Sequence, residues 1–214
     1  MIKKLQALKA KKGFTLVELV VVIAIIGVLA AILVPTMLGV VQDSRITSAN
    51  TLATNIKNRV TEFLSKMDAI KESFKATETV TLEIKAKDAT WTISGGKAGS
   101  DWLGGTDHYT NGEDVNASDE VADKDKYLIN YIADGTSDIK TCYAKVYIAK
   151  GGKVIGVAAI EGTDDATDVT IPSDEDFKTA KMSWDGKKAG VAEGGVIVGC
   201  APAVAHEEGV KAGS

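Results

Sequence analysis

An unbroken apolar run near the start of the chain, "LVVVIAIIGVLAAILVPTMLGVV", constrains the fold more than any other feature. It covers Leu19 to Val41, 23 residues with Thr36 the one clearly polar side chain. As a helix it reaches about 34 Å, enough to cross a bilayer core of about 30 Å. A secretory signal has a shorter apolar core followed by a small-residue cleavage site, whereas this run continues into further helical sequence. Five lysines and no acid occupy the 13 residues at the start, the bias that keeps a segment's N-terminus on the cytoplasmic side. The rest of the chain is then predicted to lie outside.

One carboxylate stands at the edge of this run. Glu18 in hydrocarbon is unfavourable by roughly 2.5 to 3.5 kcal/mol even on lenient insertion scales. The helix dipole offsets only about 0.3 to 1 kcal/mol of that in an exposed first turn. Glu18 therefore needs a partner, or a place in water beside the headgroups.

Beyond the run, neither glycine nor proline occurs from Val40 to Lys75. Apolar residues recur at Ile46, Ala49, Ala53, Ile56, Val60, Phe63, Met67, Ile70 and Phe74. Steps of three and four place them on one helical seam. The spacing predicts one helix from Phe14 to Lys75, whose seam packs either on another helix or on a sheet of the same chain.

The period then changes to two. In "TVTLEIKA", Val80, Leu82, Ile84 and Ala86 alternate with Thr79, Thr81, Glu83 and Lys85, as a strand with one buried face requires. Further strands are predicted at Ala89–Ile93, Tyr127–Ala133, Cys142–Ala149, Lys153–Ile160, Lys181–Trp184 and Gly195–Gly199, with a hairpin turn at "KGGK". Ser94–Lys126 and Gly162–Asp176 read as long surface loops, and the tail after Cys200 as loosely held. The fold class is α+β: a long N-terminal helix, its first half membrane-spanning and its second half packed on an antiparallel sheet.

The composition excludes several functions. Apart from the leading lysines the chain holds 20 basic and 29 acidic residues, so no basic stripe is available for nucleic acid. His108 and His206 are the only histidines, and no catalytic motif surrounds either. "SGGKAGS" lacks the spacing of a phosphate loop, and an enzyme is not indicated. Asp107, Glu113, Asp114, Asp119, Glu120, Asp123 and Asp125 could supply oxygens to calcium, but their spacing matches no calcium loop, so no metal or cofactor is assigned. The sequon at Asn116 is too unspecific to assign. Two cysteines outside the cytoplasm predict a Cys142–Cys200 disulfide, against the alternative of two small buried thiols.

"KKGFTLVELVVVIAIIGVLAAILVP" resembles the N-terminal signature of type IV pilins and the related pseudopilins of type II secretion. A basic leader ends in Gly13, an aromatic Phe14 follows, Glu18 stands four residues later, and Pro35 closes the apolar core. From Thr77 onward no motif extends the resemblance.

The resemblance implies that residues 1–13 are a leader peptide, cut by a prepilin peptidase between Gly13 and Phe14, with N-methylation of the new Phe14 amine. Residues 14–41 would be the transmembrane and fibre-core helix, 42–76 its amphipathic continuation, and 77–214 a β-rich head. Glu18 would meet the Phe14 amine of a neighbouring subunit, and the stretch from Gly27 to Pro35 would loosen in the fibre. The implied partners are further copies in a helical homopolymer, a platform protein, a motor ATPase, minor pilins, and membrane lipid before assembly. The subunit would sit in the cytoplasmic membrane, single-pass with its N-terminus inside, and then in an extracellular filament serving adhesion, motility or DNA uptake. The rivals are a secretion pseudopilin and, from another class, a membrane-anchored binding protein with a coiled-coil stalk.

Overall fold

The computed structural model describes residues 14–69, 78–95, 115–116, 128–186 and 188–207. The chain divides between Asp43 and Ser44 into two units. One helix, α1 (Leu16–Ala69), carries the apolar run and the seam. Ile70 and Phe74, the last two seam positions, lie outside the described residues.

In the first unit every large apolar side chain from Phe14 to Val41 is exposed. The helix is long and apolar enough to cross a bilayer. It runs on through Pro35, although proline supplies no amide to the carbonyl one turn earlier. The Thr36 hydroxyl donates to the Leu33 carbonyl at 2.9 Å.

In the second unit the seam is buried from Ala49 to Phe63, as predicted. Ala49, Ala53, Ile56, Val60 and Phe63 are buried, with Ile46 half-buried. Ala53, Ile56, Val60 and Phe63 pack on a six-stranded antiparallel sheet in the order β3-β2-β1-β4-β5-β7, formed by β1 (Val80–Lys87), β2 (Thr90–Gly95), β3 (Val115–Asn116), β4 (Cys142–Ile148), β5 (Val154–Glu161) and β7 (Gly199–Ala201). The register puts Val80, Leu82, Ile84 and Ala86 of β1 opposite Ile148, Val146, Ala144 and Cys142 of β4. All eight belong to the core shared with α1. The β4–β5 hairpin closes over Gly151 and Gly152, at φ 86° and 83°, the left-handed backbone that glycine adopts without a steric cost.

The sheet is covered on both faces at the β4-β5-β7 end, which alternation alone does not reveal. A second core joins Tyr147, Ala158, Ile160 and Cys200 to Phe177, Met182, Trp184, Val198 and Val204. Its cover includes α3 (Asp174–Thr179) and a two-stranded parallel ribbon of β6 (Lys181–Met182) and β8 (Ala205–His206). An added Cβ at Gly156 would lie 2.2 Å from the Phe177 ring, so only glycine lets α3 reach β5.

Several sequence expectations are corrected. The sequence pattern predicts a strand at Tyr127–Ala133, but Leu128–Gly135 is a helix, α2, whose Leu128, Ile129, Ile132 and Ala133 join the α1 core. Gly195–Gly199 is not a strand: a 3-10 turn occupies Glu193–Gly195, and β7 begins at Gly199. Lys181–Trp184 is a strand only through Met182. Gly162–Asp176 ends in helix α3, whose start is closed by Ser173. The tail is held as far as β8, beside β6.

The disulfide is corrected too. Cys142 and Cys200 are both free and buried. Cys142 lies opposite Glu161 and Cys200 opposite Ala158, with β5 between them. Two strand spacings come to about 10 Å, beyond the roughly 7 Å Cα separation a disulfide spans. The thiols also face opposite sides of the sheet, Cys142 in the α1 core and Cys200 in the second.

Candidate assembly site at the helix N-terminus

The first turn of α1 is built by a capping box. Thr15 precedes the first helical residue, Leu16, and Glu18 stands at the third helical position. Glu18 N–H donates to the Thr15 hydroxyl oxygen at 3.3 Å, and Thr15 N–H donates to Glu18 Oε2 at 2.8 Å. The Thr15 hydroxyl donates to the same oxygen at 2.7 Å. Such a box satisfies helix amides that have no carbonyl one turn earlier, and places an anion where the helix dipole favours it. The signature was present in the sequence as Thr-x-x-Glu ahead of an apolar run, and sequence reasoning missed it.

Phe14 lies just outside the helix and is 88% exposed. Gly13 lies outside the described residues. Gly27 is mid-helix with nothing within 4 Å of an added Cβ, so no neighbour in the described chain requires a glycine there. Pro35 is likewise inside the helix, among exposed apolar residues. The structure thus brings Glu18 and Thr15 together, while Gly27 and Pro35 lie further along the same helix.

The remaining candidates do not converge on a site. His108 and the seven acids from Asp107 to Asp125 fall outside the described residues. Among the described residues no group of three or more His, Cys, Asp or Glu is placed to hold a metal ion. His206 sits half-buried in β8. Burial pushes both thiols up to about 12, which makes them protonated packing groups rather than nucleophiles.

Comparison with known proteins divides the chain in the same way. Residues 8–34 match the prokaryotic N-terminal methylation motif. Residues 46–205 match a family described as a domain of unknown function, DUF5021. The chain is 36% identical over 85 residues to the type IV major fimbrial protein FimA of Dichelobacter nodosus, covering 40% of this chain and 53% of that one. It is 45% identical over 53 residues to a fimbrial protein of Moraxella nonliquefaciens, covering 25% and 34% of the two chains. Against the type IV major pilin protein PilE1 of Neisseria gonorrhoeae it is 43% identical over 53 residues, 25% of this chain and 32% of the pilin. The chain thus spans about half or less of the length of these curated relatives. No solved structure matches it. With a methylation motif at its N-terminus and the DUF5021 model over about three quarters of its length, the chain belongs to the DUF5021 family and carries an N-terminal segment similar to that of type IV major pilins.

Proposed function

We propose that this protein is a structural subunit of a type IV pilus, made as a prepilin and polymerised through its N-terminal helix. The observation that carries this reading is the pairing of a methylation motif with an apolar helix that the chain's own described residues leave bare. Residues 14–41 bury nothing large. Lipid covers such a surface before assembly, and other copies of the same helix cover it afterwards.

In this reading a prepilin peptidase cuts between Gly13 and Phe14, and the Phe14 amine is methylated. The charged amine then meets Glu18 of a neighbouring copy as the helices bundle. A buried ion pair is retained only where both partners are present, because one alone is strongly unfavourable. Registration follows from that penalty. The helix is weakest around Gly27 and Pro35, where propensity and a backbone hydrogen bond are lost, and this is where it would loosen within a filament. The peptidase, platform protein, motor ATPase and any minor pilins are separate chains.

The coiled-coil stalk loses its main support, since the seam is occupied by the chain's own sheet. Mass spectrometry of protein sheared from the surface of native cells is the test. The expected N-terminal residue is methylated Phe14, in material that sediments as filaments. An N-terminus still carrying the lysine leader, or a chain confined to the envelope, would overturn the pilus reading.

A further inference from the structure

Glu18 stands among exposed apolar side chains, yet its carboxylate already has donors. Oε2 accepts from the Thr15 N–H at 2.8 Å and from the Thr15 hydroxyl at 2.7 Å. Among the described residues nothing donates to Oε1. Every atom of this arrangement lies on the C-terminal side of the Gly13–Phe14 bond, so a cut there leaves it intact.

We propose that Thr15 is the positioning residue for Glu18: it holds one carboxylate oxygen in the lipid-embedded subunit and leaves the other for the Phe14 amine of a second copy. The proposal rests on the pairing of Glu18 with that amine given above. The physical reason is the solvent. Hydrocarbon offers no donors, so a carboxylate without them either draws in water or takes up a proton. A protonated acid has no charge to pair with an ammonium, and a hydrated one must shed its water before the helices close. Two donors on the adjoining turn avoid both outcomes and fix the direction of the free oxygen. The Thr15 N–H survives most substitutions, so the hydroxyl is the part under side-chain control.

The test uses the full-length chain as the sole copy in its strain, carrying Thr15→Val, Thr15→Ser or Glu18→Gln. Valine keeps the shape of threonine and removes the hydroxyl, whereas serine keeps it. Methylated Phe14 reports insertion and processing, and sheared filament reports assembly. Thr15→Val is expected to be processed normally and to lose about tenfold or more in filament yield, the scale of one hydrogen bond to a charged group. Thr15→Ser is expected to restore most of the yield. Normal filaments from Thr15→Val beside a failing Glu18→Gln would overturn the role of Thr15 and leave the ion pair standing. Normal filaments from Glu18→Gln as well would remove the ion pair too. A Thr15→Val chain that is neither cut nor methylated, or a Thr15→Ser chain as defective as Thr15→Val, would overturn the proposal by making the residue a peptidase determinant or a matter of shape.

Discussion

Glu18 tests the electrostatic reading at the residue scale, because glutamine keeps its shape and removes its charge. Glu18→Gln makes the span less costly to insert, so the chain should be anchored and processed. Its failure should be confined to incorporation, where an unpaired amine entering an apolar core costs about 3 to 5 kcal/mol. Normal filament yield would make Glu18 a headgroup-level residue. The two cysteines give an opposite kind of expectation, one of inertness. Each holds its proton to about pH 12 when folded and to about 8.5 when unfolded. Between those values the folded state binds more protons than the unfolded one. Stability therefore falls as pH rises, by up to about 1.4 kcal/mol per pH unit for each thiol. Burial raises Tyr143 and Tyr147 in the same direction. The unfolding midpoint should drop between pH 9 and pH 11, and folded protein at pH 8 should resist alkylation. A flat midpoint, or rapid labelling of either thiol, contradicts the buried placement.

At the scale of elements, β7 meets α1 with almost no space between them. A Cβ at Gly199 would lie 1.9 Å from the Ala49 carbonyl oxygen, and the next amide, Cys200 N–H, donates to Asn50 Oδ1 at 2.7 Å. Gly199→Ala must move the strand off the helix and stretch that hydrogen bond. A loss of about 1 to 3 kcal/mol is expected, read as a lower urea midpoint with an unchanged slope. An unchanged midpoint would mean that β7 is not seated on α1. Elements were legible where one periodicity dominated. The seam of α1 and the alternation of β1 each have one buried face, so the sequence pattern and the burial pattern coincide. The run from Tyr127 to Ala133 is apolar on both periods, so periodicity does not decide it; Leu128–Gly135 is a helix packed in the α1 core, with Tyr131 meeting the Phe63 ring edge-on at centroids 5.5 Å apart. Strands β4 and β5 are buried on both faces, so nothing in their sequence says which side a cysteine faces, and the disulfide expectation failed there. Two caps were readable and missed. Thr15 with Glu18 and Ser173 with Asp176 share one spacing, and both close a helix.

On the scale of the whole molecule, the chain keeps its exposed apolar surface in one segment and its core in another. Apart from Glu18, every large side chain exposed along α1 up to Val41 is apolar, while the buried core draws on residues from Ala49 onward. The acids gather in the same later part, and net negative charge there favours a soluble head. A chain beginning at Gln42 therefore retains the seam, the six-stranded sheet and both cores, and gives up the exposed apolar surface of residues 14–41. It should be soluble, monomeric by sedimentation, and unfold in one cooperative transition. The competing expectation is definite, because a stalk-forming seam would pair with itself once the membrane segment is gone. Ala53, Ile56, Val60 and Phe63 would have to leave β1 and β4 to do so. Stable helical dimers of the truncated chain would therefore overturn the helix-on-sheet packing, and an aggregate at neutral pH would show that residues before Gln42 belong to the folding unit.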